Sequence, residues 1–142
     1  MATTTTFYNS YKLNCLDGAI DLENDTIKVA LCTSSYTPDI DSHGFFDDIT
    51  NEVAGTGYTA GGQALAGKTT TQDNTNDEGN FDATDTTWST STITARYGVL
   101  YKDTGTLATS PLICYIDFGE DKISSGGDFT LQWNADGIIN LS

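Results

Sequence analysis

From Thr92 to Lys102 the side chains alternate in character. Ile93, Ala95, Tyr97, Val99 and Tyr101 fall on one face, and Thr92, Thr94, Arg96 and Lys102 on the other. A period of two belongs to an extended strand, and the polar opposite face means that one side packs on a core. The same period returns twice. Ile27, Val29 and Leu31 alternate with Lys28, Ala30 and Cys32, and Phe129, Leu131 and Trp133 alternate with Thr130, Gln132 and Asn134. Leu112 to Phe118 is apolar on both faces until Asp117, which predicts a central strand covered on each side.

Breakers divide these runs. Ser34 to Phe46 carries Pro38 and Gly44 and reads as a loop, with Ile49 to Val53 as a short strand after it. The four glycines between Gly55 and Gly62 predict a tight connection. Gln63 to Thr71 reads as an outer strand, Asp73 to Asn80 as a solvated loop, and Phe81 and Trp88 bracket a further polar stretch. Asp103-Thr104-Gly105 turns the chain, and Gly126-Gly127-Asp128 precedes the Phe129 run. Asp136-Gly137 has the form of a hairpin turn before a last strand, Ile138 to Leu141. No helical pattern bridges two strands, so antiparallel pairing follows. Phe7 to Gly18 is the helix: Tyr8, Tyr11, Cys15 and Leu16 recur at helical spacing, with Thr6 as N-cap and Gly18 as stop. Residues 1–142 therefore read as one mainly-β domain, an antiparallel β-sandwich or barrel-like fold of six to seven strands with one short N-terminal helix. Residues 1–6, rich in Thr, read as an N-terminal arm.

Twenty carboxylates stand against five lysines and Arg96, a formal charge of −14. Nucleic-acid affinity requires clustered cations, and the field of this chain repels DNA, RNA and anionic lipid alike. Neither nucleic acid nor membrane is expected as a partner. No segment approaches the roughly 20 apolar residues of a bilayer span, and the start has no signal-peptide pattern, so synthesis in a cytoplasm is expected. Cys15, Cys32 and Cys114 are odd in number and widely spaced, which predicts buried reduced thiols rather than disulfides.

Residues capable of chemistry are few. His43 is the one histidine, in a loop with Asp39, Asp41, Asp47 and Asp48. A catalytic triad needs groups converging from separate elements, and a single loop offers no such frame, so no catalytic residue is assigned. Asp73 to Gly79 has oxygen ligands at alternate positions, and Asp73 and Asp77 are the calcium candidates. The glycine falls one place late for an EF-hand, and Thr84 stands where its closing glutamate belongs, so no metal site is assigned. The glycine-rich stretch at Gly55 to Gly62 lacks the lysine of a phosphate-binding loop. No cofactor is expected. Trp133 reads as core, while Trp88 is open between the core and a surface that stacks on sugar.

Several phrases resemble a family of small virion structural proteins of tailed bacteriophages. They are Asp21-Leu22 with Asp25-Thr-Ile-Lys-Val-Ala-Leu31, Thr33-Ser-Ser-Tyr-Thr-Pro-Asp39, Thr50-Asn-Glu-Val53 with Gly55 to Gly62, and Gln72 to Asp77. Thr92-Ile-Thr-Ala-Arg96, Leu100 to Gly105, Tyr115 to Gly119 and Gly127 to Asn134 extend the resemblance over most of the chain. It implies a virion part and no enzyme. Size and charge then favour a capsid decoration, or cement, protein bound to the major capsid protein on the outer surface of the virion. Such proteins are often trimers, so a homo-oligomer, with a trimer as the expected form, is implied. The arm and helix would reach a neighbour, and Phe7, Tyr8 and Tyr11 with Trp88 are the interface candidates. The alternative is a tail, neck or fibre component that binds carbohydrate.

Overall fold

The computed structural model describes residues 3–142. In chain order the elements are β1 (Thr4–Phe7), α1 (Asn9–Leu16), β2 (Ile27–Cys32), β3 (Gln63–Ala64), β4 (Thr69–Asp73), β5 (Glu78–Asp82), β6 (Thr86–Lys102), β7 (Leu112–Leu131) and β8 (Ile139–Leu141). Short 3-10 turns lie at Phe46–Asp48 and Leu107–Thr109. The strands form two antiparallel sheets, one in the order β1-β7-β6-β2-β3 and one in the order β4-β5-β8, packed as a sandwich.

The framework is one bent ribbon. β6 and β7 pair from Thr86↔Leu131 to Tyr101↔Leu112, and β5 pairs with β8 from Gly79↔Leu141 to Phe81↔Ile139. β5 runs into β6, and β7 runs into β8, so the ribbon folds over at 83–85 and 132–138 and its two ends lie in different sheets. Asp136-Gly137 is accordingly a bend between sheets and not a hairpin, because β8 pairs with β5 and not with the strand before it.

Apolar side chains fill both faces of the large sheet. Ile27, Val29, Leu31, Leu100, Ile116 and Phe118 pack with Phe81, Trp133, Ile138 and Ile139 between the sheets. On the opposite face Ala30, Cys32, Val99, Tyr101 and Leu112 pack with Tyr8, Tyr36 and Phe46, which the chain around Thr33 to Ile49 and the entry to α1 supply. This double covering explains why β2 is buried along its length except at Lys28, and why Leu112 to Phe118 lacks a polar face.

The alternation along β6 does not keep to one face. The register shifts between Ala95 and Tyr97. An irregularity of this kind displaces the side chains by half a period. Ile93 and Ala95 therefore enter the inter-sheet core, while Val99 and Tyr101 enter the opposite one. Arg96 sits at the shift and holds Asp117 of β7 through Nε–Oδ1 at 2.6 Å and Nη2–Oδ2 at 3.3 Å.

Further expectations are corrected. Of the expected arm, Met1 and Ala2 lie outside the described residues, and Thr4 to Thr6 belong to β1, which pairs with Asp117 to Tyr115 of its own chain. Consecutive threonines favour an extended backbone, and β7 offered an edge to pair with. The helix starts at Asn9, because Phe7 is in the strand and Tyr8 holds the N-cap position without a side-chain cap. Only Tyr11 of α1 is buried; Cys15 and Leu16 face solvent. Ile49 to Val53 contributes a lone bridge, Cys32↔Glu52. Gln63 to Thr71 is not one strand: Gly67, at φ +63, breaks it into β3 and β4, which lie in different sheets. Asp73 to Asn80 is a hairpin with Glu78 paired to Asp73, not an extended loop. Eight strands result among the described residues, the excess over seven coming from the short β1 and β3. No helix among them is long and apolar enough to cross a membrane.

Candidate interaction surface

Around His43 the polar groups are turned to holding a loop together. Nδ1 accepts the Asp39 backbone N–H at 3.3 Å, which makes the neutral ring the Nε2–H tautomer. Tyr36 Oη then donates to Nδ1 at 3.0 Å, and Tyr8 Oη to Tyr36 Oη at 2.8 Å. Burial pushes both phenols well above the usual tyrosine range. Asp39 Oδ1 accepts the N–H groups of Asp41 and Ser42, Asp48 Oδ2 those of Gly44 and Phe45, and Asp41 accepts from the Asn9 amide. The Ser42 hydroxyl and the neighbouring N–H groups hold Asp39 below the usual carboxylate range; the N–H groups of Phe45 and Gly44 do the same for Asp48. Asp39 and Asp48 thus cap turns of the loop, and Asp41 ties it to Asn9 at the start of α1.

The calcium candidates make the tip of the β4–β5 hairpin. Asp73 accepts the Thr75 N–H at 2.8 Å, the Asn76 N–H at 3.2 Å and the Asn76 side-chain amide at 2.7 Å. Asp77 takes the left-handed backbone at φ +59 that a tight turn requires. Among the described residues no three His, Cys, Asp or Glu side chains converge as metal ligands.

The glycine-rich stretch is a cover laid over β2. Glu52 Oε1 accepts from Tyr58 Oη at 2.6 Å and from the Gly61 N–H at 2.5 Å. Tyr58 Oη also accepts the Leu31 N–H at 2.9 Å, and Tyr101 Oη donates to the Gly61 carbonyl at 2.6 Å. Glu52, Tyr58 and Tyr101 were invisible as a group in the sequence because they lie on three separate segments.

The aromatic interface candidates are corrected. Tyr8 is 0%, Trp88 1% and Tyr11 2% exposed, so none is available to a partner. All three pack beneath their own sheet or helix, and half-buried Phe7 stacks on Tyr11 with ring centroids 5.5 Å apart. Trp88 is a core residue, as Trp133 is; the Trp133 indole N–H donates to the Thr84 carbonyl at 3.1 Å. Cys32 and Cys114 are buried thiols pushed up to about 12 by burial, whereas Cys15 is exposed on the outer side of α1.

Three surface features remain. The first is charge. Lys28, Arg96, Lys102 and Lys122 form ion pairs with Asp103, Asp117, Asp25 and Glu120, Lys68 donates to the Asp25 carbonyl, and Lys12 donates to Asn9. All six cations are thus engaged within the chain, and most carboxylates face water without a counter-charge. Asp73, Glu78, Asp82 and Asp136 share the outer side of the small sheet with Asn80 and Asn140. The second is a set of exposed apolar side chains, with Leu13 63% and Leu16 88% exposed on one side of α1. The third is a cleft of about 270 Å³ where the sandwich opens between β1 and β8. Its floor is Ile116, Leu131, Trp133 and Ile138, its rim carries threonine hydroxyls and side-chain amides, and among the described residues no charged one lines it.

No family model matches the chain, and no curated protein or solved structure gives a significant match to it.

Proposed function

We propose that the domain is a structural component of a bacteriophage virion, a decoration or cement protein that binds the outer surface of the major capsid shell and stabilises it. The charge distribution carries the reading. With the five lysines and Arg96 bonded within the chain and most carboxylates left without a counter-charge, the exterior repels packaged and free nucleic acid. Such a surface suits the outside of a shell. The Leu13 and Leu16 ridge of α1 offers apolar area for contact with the shell. Binding at the repeated junctions of a shell favours a closed homo-oligomer. The test is addition of purified protein to capsids that lack it: co-sedimentation and restored heat resistance are expected, and failure to bind removes the reading.

A second reading, a tail, neck or fibre component that holds a sugar, is favoured by the cleft between β1 and β8. An apolar floor with an indole edge and an uncharged rim of amides and hydroxyls suits a neutral saccharide. Gold labelling of virions separates the two, since cement labels the whole head and a tail component only one end.

A further inference from the structure

The two sheets have four edges among the described residues, and three of them are blunted. β3 has two residues and β8 has three, too short to template another strand. β4 is overlaid by the turn at Asp21 to Asp25, through Thr70 to the Glu23 carboxylate and Lys68 to the Asp25 carbonyl. β1 differs. It reads Thr4-Thr5-Thr6-Phe7, preceded by Thr3, without a charge, a proline or a bulge, the devices that usually protect an edge.

The direction of its free groups follows from the ladder. The Tyr8 N–H donates to the Ile113 carbonyl at 3.1 Å, in register with Thr4↔Asp117 and Thr6↔Tyr115. Hydrogen-bonded and non-bonded pairs alternate along an antiparallel ladder. Thr4, Thr6 and Tyr8 therefore bond to β7, and the N–H and C=O groups of Thr5 and Phe7, with Thr3 in line, point away from the sheet.

We propose that β1 pairs with β1 of a second copy of this chain, antiparallel about a two-fold axis through Thr5. This register places Thr5 opposite Thr5 and Thr3 opposite Phe7, so that outward groups meet outward groups along the whole strand, with about six main-chain hydrogen bonds. No other element offers the strand a partner so closely matched, because the row of free groups is its own complement. Charge favours the same partner. Two chains of −14 repel one another at long range, and they can approach only along a surface without carboxylates. Thr4 to Phe7 and the described residues that line the adjoining cleft carry no charged side chain. Pairing would join two five-stranded sheets into one continuous sheet. The contact is isologous and closes at two copies, where the resemblance implies three. It does not rest on the capsid reading.

A pairing of this length buries less than a standard interface, so it is weak, with dissociation on the order of micromolar to millimolar. Sedimentation equilibrium of the full chain tests it at low and high salt. The apparent mass should climb towards twice the monomer with concentration, and it should climb sooner at high salt, because screening weakens the repulsion. Thr5→Pro removes an outward N–H and leaves the bonds to β7 intact, as proline on an edge strand can. It should stay monomeric with its melting temperature nearly unchanged. Hydrogen exchange gives an independent check: the Thr5 and Phe7 amides should gain protection with concentration, while those of Thr4 and Thr6 are protected throughout. A wild-type chain that stays monomeric at millimolar concentration in high salt overturns the proposal. So does a dimer that survives Thr5→Pro, or one in which the Thr5 and Phe7 amides stay unprotected.

Discussion

A Cβ on Gly62 would lie 1.8 Å from the carbonyl oxygen of Val29 and 2.6 Å from its carbonyl carbon. The glycine-rich segment lies on β2 at backbone-to-backbone distance, and the missing side chain is what permits the approach. Gly62→Ala should cost at least about 3 kcal/mol, since the obstacle is the backbone of a central strand, which cannot yield. Gly105, at φ +87 with nothing within 4 Å of its Cβ position, is the control. Gly105→Ala meets only the left-handed penalty of about 1 kcal/mol. Thermal melting of the two variants measures the difference.

Glu52 holds the same segment by accepting from Tyr58 and from the Gly61 N–H. Glu52→Gln keeps one acceptor oxygen but loses the charge that strengthens both bonds, at a cost of about 1–2 kcal/mol. The loss is local. Limited proteolysis should cut faster within residues 55–61 while the rest of the domain stays intact.

Stability should fall at both ends of the pH scale. Asp39, Asp48 and Asp73, which accept turn N–H groups, and Asp117, paired with Arg96, all lie below the ordinary 3.8. A depressed carboxylate contributes stability above its unfolded value and loses it as the pH falls through the native one. Unfolding should therefore set in below about pH 4. Tyr8, Tyr36 and Tyr58 lie above their ordinary 10.0, and Cys32 and Cys114 above 9.0, with burial as the leading cause. A raised group contributes fully below its unfolded value and loses that contribution as the pH climbs past it. The tyrosinate absorbance of Tyr8, Tyr36 and Tyr58 should thus appear in one step, together with loss of near-ultraviolet dichroism.

Arg96 and Asp117 tie β6 to β7 where the register shifts, and both side chains are 28% exposed. Solvent screens such a pair, so Arg96→Ala should lower the melting temperature only slightly despite the two-pronged geometry. The Asp117 carboxyl should rise towards 3.8 when its cation is removed. Carbon-13 titration of that one carboxyl reads the change directly.

Local periodicity identified β2, β6 and the first half of β7, because a strand packed on a core repeats every two residues whatever it packs against. It did not show that Ile93 and Val99 enter different cores, since the irregularity at Arg96 leaves the sequence alternation unbroken. The edge strand at Thr4 to Phe7 was hidden for a related reason: a short threonine run has the same pattern whether it hangs free or pairs with Cys114 to Asp117. Tyr8, Tyr11 and Trp88 looked like surface anchors because a polar tip on an aromatic body suits an interface as well as a core. The helical spacing groups Cys15 and Leu16 with Tyr8 and Tyr11, although Cys15 and Leu16 are exposed, and it does not single out Leu13, the other exposed leucine of α1. A helix of eight residues has too few turns for its two sides to be told apart.

The most direct test of the proposed role is a low-resolution image of the virion with and without this chain. The account predicts density that disappears from the outside of the shell, repeated with the symmetry of the capsid. Density lost only from the tail, or from the interior beside the genome, would contradict it.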